Sequence, residues 1–242
     1  MTDPGSGSVL NHPALAGRVA IVTGANHGIG AATAVALAAL GASVLVTYLR
    51  LDDAPDPGTP EAYRASRARD ASAVLAAIAG TGATGLAAEA DLSDPRVPVQ
   101  LFDQAERDLG PVDILVNNAT GWLADTFKVS GTDRLGRTLT PVSAATFDRL
   151  FAVDARGGAL MIAEFARRHL ARGARYGRII SLTSGTGGFP EEVSYGAAKA
   201  ALNDYTLAAA FELADAGITA DVIAYLATER AGLITGNIIR LR

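Results

Sequence analysis

The fold is indicated by residues 19–30, which read VAIVTGANHGIG. The apolar, largely β-branched start of this segment predicts a strand from Val19 to Thr23. The alanine-rich stretch that follows predicts a helix from Gly28 to Leu40. Between such a strand and helix, backbone N–H groups and the positive end of the helix can receive a pyrophosphate. The segment therefore predicts a dinucleotide-binding turn.

Three glycines suit this turn to close contact with a ligand. Gly24 permits the sharp bend, whereas Gly28 and Gly30 allow close approach of the dinucleotide and tight packing of the helix. The other predicted cofactor contacts in the turn are Asn26, His27 and Ile29. In a chain with 26 glycines the alternative is a plain structural turn, and the strand and helix on either side favour the binding turn.

The rest of the chain alternates short apolar runs with longer helical stretches. Further strands are predicted at residues 43–48, 84–90, 114–117 and 178–182, and helices at 61–79, 98–109, 144–172 and 193–216. This pattern predicts an α/β fold of the Rossmann type, a doubly wound parallel sheet with helices on both faces. Residues 120–141 follow neither periodicity and are expected to form a surface excursion near the ligand crevice.

Composition narrows the class of protein. With 242 residues, 49% of them apolar, the chain is expected to form one domain over residues 18–242 after a flexible arm at 1–17. A net charge of −4 gives no basic field for nucleic acid, and the absence of cysteine excludes disulfides and thiolate catalysis. No secretory leader or membrane-spanning run is apparent, so a cytoplasmic protein without membrane contact is expected. The three histidines lack metal-ligand spacing, and no metal is expected.

Cofactor choice is expected to depend on the end of the second strand. An acidic residue there would bind a ribose diol, whereas a cation would favour a 2′-phosphate. The chain has Tyr48 and Arg50 at this point, with His27 within expected reach, which favours NADP(H). Asp52 and Asp53 follow closely and keep NAD(H) open, and a solvated Arg50 is the alternative interpretation.

A candidate catalytic group lies in the last third of the chain. Tyr195 and Lys199 are four residues apart on a predicted helix, so both side chains project from one face. The ammonium would stabilise a phenolate and make Tyr195 a usable acid or base. Ser184 follows a predicted strand at the sheet edge where ligands bind, and can donate a hydrogen bond to a substrate oxygen. Each motif alone has a structural alternative, a surface pair or a turn.

Together these motifs are similar to those of the short-chain dehydrogenase/reductase family, in the single-domain branch that includes 3-oxoacyl carrier-protein reductases. The matching positions, in family order, are Gly24, Gly28, Gly30, Asp91, Asn117, Asn118, Ala119, Ser184, Tyr195 and Lys199. The resemblance implies hydride transfer between a nicotinamide cofactor and a carbonyl or alcohol substrate. It also implies cofactor contacts from Asp91 and Leu92 near the adenine, from the backbone of Asn118 and Ala119, and from Tyr195 and Lys199 near the nicotinamide ribose.

The chain departs from the family pattern at two informative places. Asp154 stands where the family commonly has an asparagine that holds a water of the proton relay; Asp154 is expected to accept that water's hydrogen bonds, as a fourth catalytic residue. Strand character also stops at Ala220, and Asp221 to Leu226 has a helical pattern. We therefore expect that several tens of residues, including a strand end and a mobile lid, separate Ala220 from Asp221.

Two expectations concern partners and the alternative function. The final run, Leu233 to Arg242, resembles the family's last strand at a subunit contact, so a homodimer or homotetramer is expected. Asp154 and the expected missing lid also support an alternative, a catalytically impaired family member that binds the cofactor as a sensor or assembly subunit.

Overall fold

A parallel sheet of six strands forms the centre of the protein. The computed structural model describes residues 14–129, 131–184 and 188–223, the last three of these by their backbone only. The strands are β1 (Val19–Val22), β2 (Ser43–Tyr48), β3 (Gly85–Glu89), β4 (Val112–Asn117), β7 (Gly177–Leu182) and β8 (Ile218–Ile223). Their order is β3-β2-β1-β4-β7-β8, and every neighbouring pair is parallel. This is the predicted Rossmann-type fold, with the switch in strand order beside β1.

Helices cover both faces of this sheet. They are α1 (Gly28–Ala39), α2 (Glu61–Arg67), α3 (Ser72–Ala79), α4 (Val97–Asp108), α5 (Ala144–Leu150), α6 (Gly158–Ala171) and α7 (Val193–Glu212). The side chains of each strand alternate between the two faces, which produces two apolar cores. One core holds Ile21, Leu115 and Ile179, and the other holds Ala20 and Val22, all of them buried.

The helix predicted at residues 61–79 is two helices in the structure. Asp70 interrupts it, because its carboxylate accepts hydrogen bonds from the backbone N–H and the hydroxyl of Ser72 at 3.0 and 2.6 Å. The amide of Asn26 also donates to the carbonyl of Arg69 at 2.8 Å. These contacts satisfy backbone groups outside the helical ladder, as aspartate and asparagine commonly do at turns. The break lets α2 pack beside the glycine turn.

The helix predicted at residues 144–172 is also irregular. It contains a π-helical turn over Phe151–Gly157, between α5 and α6. Such turns insert an extra residue into the helix and often occur at functional sites. Asp154 lies in this turn and is almost wholly buried.

The expectation that several tens of residues separate Ala220 from Asp221 stays a prediction, and in the chain as given strand β8 runs through both residues. Strand β8 continues without interruption, and the two residues pair in sequence with Ile179 and Ile180 of β7. The predicted helix at 221–226 is wrong for residues 221–223, which are strand. Hydrogen bonding to β7 therefore outweighs the local helical pattern. Residues 224–226, most of the predicted arm and the final run lie outside the described residues.

The excursion after β4 carries little regular structure. Its two short strands, β5 (Asp125–Thr126) and β6 (Thr140–Pro141), pair with each other in parallel. The buried carboxylate of Asp125 accepts a hydrogen bond from the backbone N–H of Ser194 at 2.8 Å, which fastens the excursion to the first turn of α7. In the described part of the chain, no helix has the length and apolar character needed to cross a membrane.

Candidate active site

The glycine turn is held against the end of β4. Gly24 has a φ of +62°, and a Cβ there would lie 2.7 Å from the Cα of Ala119, so a side chain has no room. The amide of Asn118 donates to the carbonyls of Thr23 and Gly24 at 2.9 and 2.8 Å. The Thr23 hydroxyl accepts the backbone N–H groups of Asn118 and Ala119 at 2.9 and 3.1 Å. Thr23, which sequence reasoning passed over, thus joins the turn to β4.

The turn also leaves room for a phosphate group. Helix α1 starts at Gly28 without a side-chain cap, so N–H groups of its first turn stay available to an anion. Gly28 has a φ of +58°, and a Cβ at this position would meet no atom within 4 Å. Gly30 instead packs inward, where a Cβ would lie 2.5 Å from the amide nitrogen of Asn118. The residues present therefore fit a dinucleotide.

A cleft of about 660 Å³ opens above this turn. Most of the predicted cofactor contacts border it: Gly24, Asn26, His27, Gly28, Ile29, Tyr48, Asp91, Leu92, Asn118 and Ala119. Asp91 accepts a hydrogen bond from the backbone N–H of Ser93 at 2.8 Å, and Leu92 is buried beneath it. The cleft is bounded by the carboxyl ends of the strands, where this type of sheet binds ligands.

Arg50 is not among the described residues that border the cleft, contrary to the expected phosphate contact. Its guanidinium makes a bidentate pair with Glu89, at 2.7 Å for the shortest N–O distance. This hydrogen-bonded pair raises the pKa of Arg50 and lowers that of Glu89. The register of β2 with β3 places Tyr48 beside Glu89. Arg50 lies two residues beyond Tyr48, and its side chain therefore reaches Glu89 on the neighbouring strand.

Arg67 of α2 takes the place expected of Arg50. It borders the cleft, its side chain is only 10% exposed, and its guanidinium pairs with the carboxylate of Asp53 at 2.7 Å. Tyr63 and His27 lie beside it, with their rings edge-on at 5.8 Å between centroids. Burial and then the charge of Arg67 lower the pKa of His27, so this imidazole is neutral at pH 7. Arg67 is therefore the cation at this end of the cleft.

The predicted group of Ser184, Tyr195 and Lys199 is brought together where β7 ends and α7 begins. The hydroxyl oxygens of Ser184 and Tyr195 lie 2.6 Å apart, and Ser184 is buried. The ammonium of Lys199 lies 5.8 Å from the centre of the Tyr195 ring, as expected for residues one helical turn apart. The arrangement can orient an oxygen atom and move a proton at the phenol.

Asp154 contacts Lys199 directly rather than through a bridging water. One carboxylate oxygen lies 2.9 Å from the Lys199 ammonium, with the two side chains 0% and 4% exposed. The other oxygen accepts the backbone N–H of Gly121 at 2.8 Å. The chain therefore holds a buried ion pair where the family resemblance implied a water-linked relay.

The ion pair connects the catalytic group to the cleft. Tyr195 and Lys199 are not among the described residues that line the cleft, whereas Gly121 and Val153 are. Gly121 bonds to Asp154, and Val153 precedes it, so the Lys199–Asp154 pair lies directly behind the cleft wall. In the described parts of the chain, no three His, Cys, Asp or Glu residues are grouped to hold a metal ion.

Arg67 and Trp122 are among the cleft side chains that sequence reasoning missed. Arg67 carries no local signal, because its approach depends on the path of the loop after β2. Trp122 carries a weak signal, since it follows the Asn118-Ala119 motif by three residues. Its indole N–H donates to the carboxylate of Glu192 at 3.2 Å, close to Tyr195 in the chain.

Comparisons with known proteins show the family of this chain. The sequence pattern described as "short chain dehydrogenase" matches residues 58–232. Elsinochrome reductase 1 of Elsinoe fawcettii is 34% identical over 89% of this chain and 70% of its own length. An NADPH-dependent aldehyde reductase-like chloroplastic protein of Arabidopsis thaliana is 36% identical over 87% of this chain and 72% of its own. The crystal structure of a metagenomic short-chain oxidoreductase with NADP superposes with a TM-score of 0.66 at 29% identity, covering 86% of this chain and 82% of that one.

Proposed function

Because the chain belongs to the short-chain dehydrogenase/reductase family, we propose that it interconverts a carbonyl compound and its alcohol, with NADP(H) as the hydride carrier. The observation that carries this proposal is the 2.6 Å contact between the Ser184 and Tyr195 hydroxyls, with Lys199 on the same helix face, behind a cleft that fits a dinucleotide.

In this proposal each residue of the group has a defined part. Ser184 donates a hydrogen bond to the substrate oxygen, and Tyr195 gives its phenol proton to that oxygen during reduction or takes it back during oxidation. Lys199 supplies a positive charge that stabilises the phenolate, and its own charge is balanced by Asp154. The nicotinamide supplies or accepts the hydride when it is bound. The glycine turn, Asp91, Leu92, Asn118 and Ala119 hold the dinucleotide.

The proposal is tested by supplying candidate substrates to the purified chain. Binding of NADPH is followed by its fluorescence, and its oxidation is followed at saturating NADPH over aldehydes, diketones, quinones and short oxoacyl thioesters. We expect oxidation with at least one class and an alcohol as product. Tight binding of NADPH without oxidation by any of these classes would instead support the non-catalytic, cofactor-binding alternative.

The preference for NADP(H) is proposed to depend on Arg67. Its buried guanidinium can turn from Asp53 toward a 2′-phosphate, and a hydrogen bond between charged groups contributes about 1.5–3 kcal/mol. Arg67→Gln is therefore expected to raise KM for NADPH by about 10- to 100-fold and to change KM for NADH by less than about threefold. Steady-state kinetics with both cofactors measures this ratio.

Arg50→Gln is the matched control, because Arg50 lies nearby but pairs with Glu89 on the exposed edge. We expect it to leave the ratio of the two cofactors unchanged. A loss of NADPH preference in Arg50→Gln and not in Arg67→Gln would reverse the assignment. Thermal unfolding of each variant separates a cofactor effect from loss of the Arg67–Asp53 pair.

We also propose that the chain forms a homodimer or homotetramer through the face of α5, the π-helical turn and α7. Phe147 is 48% exposed and stacks on Phe151 at 4.0 Å, and both border a groove with Tyr205.

Light scattering is expected to give two or four times the chain mass of 24.7 kDa. Phe147→Glu should shift the protein toward monomer, whereas Phe127→Glu, which alters a phenylalanine 80% exposed on the excursion, should not. A monomeric unaltered chain would contradict the proposal.

A further inference from the structure

We propose that Trp122 is a stacking platform in the substrate part of the cleft, and that the carbonyl substrate is a planar aromatic compound. This inference rests on the proposed carbonyl chemistry and adds a substrate class to it. An aromatic substrate would place its ring against the indole and its carbonyl oxygen toward Ser184 and Tyr195.

Trp122 lies at the end of the cleft nearest the catalytic group. It borders the cleft together with Gly121, whose backbone N–H donates to Asp154 at 2.8 Å. Its indole N–H donates to Glu192, which directly precedes the helix that carries Tyr195. Both connections run to segments that carry the catalytic group, whereas Arg67 lies on α2 beside His27.

The indole ring is held in place by groups on the protein side. The guanidinium of Arg137 lies 4.9 Å from the ring centre, and it also pairs with Glu192 at 3.0 Å and with Asp133. Side chains that are immobilised before binding lose little entropy when a ligand arrives. The Trp122 ring is thus a preorganised surface.

One side of that surface is left for a ligand. Trp122 is half-buried and borders the cleft, whereas Arg137 and Glu192 are not among the described residues that border it. The cation and the carboxylate therefore occupy positions away from the cleft. An aromatic ring bound in the cleft would meet indole, and offset or edge-on contacts between aromatic rings are favourable beyond their buried area.

A second aromatic residue supports the same substrate class. Aromatic residues make up only 6% of the chain, yet Phe189 also lies here, with its ring edge-on to Tyr195 at 6.2 Å between centroids. Phe189 accepts a backbone hydrogen bond from Glu192 at 3.2 Å, which links it to the contact with Trp122. Trp122 and Phe189 are thus both bonded to Glu192, and the Phe189 ring contacts the Tyr195 phenol.

Kinetics with a matched pair of ketones tests the platform. 2-Tetralone and 2-decalone share a bicyclic skeleton with a ketone, and only the former has an aromatic ring. Trp122→Leu is expected to lower kcat/KM for 2-tetralone by about tenfold and for 2-decalone by less than about twofold, while Trp122→Phe retains most of the preference. Phe127→Leu, in the same excursion but 80% exposed, is the control and should change neither.

An equal loss of kcat/KM for both ketones in Trp122→Leu would overturn the platform. Trp122 would then have only a structural role, in which it connects the excursion to α7. NADPH binding and thermal unfolding of this variant are measured alongside. If both are unchanged, a selective loss with the aromatic ketone reports on the substrate part of the cleft alone.

Fluorescence tests the platform without turnover. Trp122 is the only tryptophan in the chain, so indole emission reports on this position. With the protein saturated by NADP⁺, 2-tetralone should change the emission saturably and 2-decalone should not. Absence of a saturable change would refute the platform. A saturable change in a protein that oxidises NADPH with neither ketone nor any other class of carbonyl compound would support the platform and refute the proposed reaction, so the two failures are distinguishable.

Discussion

Tyr195→Phe is expected to lower kcat by about a thousandfold, because it removes the hydroxyl that exchanges a proton with the substrate oxygen. The variant keeps the ring, so its edge-on packing with Phe189 is preserved. It loses only the 2.6 Å contact with Ser184. NADPH binding should therefore change by less than about threefold, since the nucleotide is held mainly by groups at the glycine turn and the cleft walls.

Tyr205→Phe provides the matched control for this experiment. Tyr205 lies on the same helix but is 51% exposed and borders a different groove. It should leave both turnover and cofactor binding unchanged. If Tyr195→Phe turned over normally, the phenol would not be the acid or base. If it lost NADPH binding together with turnover, Tyr195 would be a cofactor contact rather than the proton donor.

Lys199→Met is expected to abolish turnover and to destabilise the protein by about 3–5 kcal/mol. The reason is the buried pair with Asp154, in which removal of the ammonium leaves a carboxylate without its counter-charge. Asp154→Leu should destabilise the protein by a similar amount, because it leaves the ammonium unpaired and also removes the acceptor for Gly121. Urea denaturation of each variant measures these losses.

The double variant, Lys199→Met with Asp154→Leu, separates the contribution of the ion pair to stability from its contribution to catalysis. Replacing both residues by apolar ones removes both buried charges, so much of the stability should return and the two losses should be strongly non-additive. Turnover should stay absent, because no ammonium then faces Tyr195. Additive losses of stability would show that the two charges do not interact. Turnover in the double variant would remove Lys199 from the proposed reaction.

Asp154→Asn measures what the carboxylate contributes beyond stability. The amide keeps the size of the side chain and can still accept the N–H of Gly121 through its oxygen. It removes the negative charge 2.9 Å from Lys199. Without that charge, the ammonium of Lys199 acts more strongly on the phenol of Tyr195. A change in the pH profile of kcat without a change in NADPH binding would assign Asp154 a positioning part in the reaction.

Several features of the site were predictable because they depend on residues close in sequence. The strand, glycine turn and helix of residues 19–30 form one local unit. The face shared by Tyr195 and Lys199 follows from helical periodicity alone. That most of the predicted cofactor contacts border one cleft was predictable for a related reason, since the carboxyl ends of parallel strands meet at one edge of the sheet.

Other features depended on contacts between distant segments. Arg50 could not be distinguished from Arg67 by sequence, because pairing with Glu89 requires the register of β2 and β3. The helical pattern after Ala220 was misleading, since pairing with β7 extends β8 through this point. The contact of Trp122 with Glu192 joins residues 70 positions apart, and no local pattern reports it.

The sequence by itself determined the Rossmann-type architecture, the family and the residues able to do proton chemistry, because periodicity, glycine placement and motif order are properties of neighbouring residues. Only the tertiary structure decided that Arg67 rather than Arg50 borders the cleft, that Asp154 pairs directly with Lys199, and that Trp122 bonds to Glu192 at the start of α7. The physical reason is that charge pairing and ring packing act through space at a few ångströms, between segments whose separation along the chain carries no record of that distance.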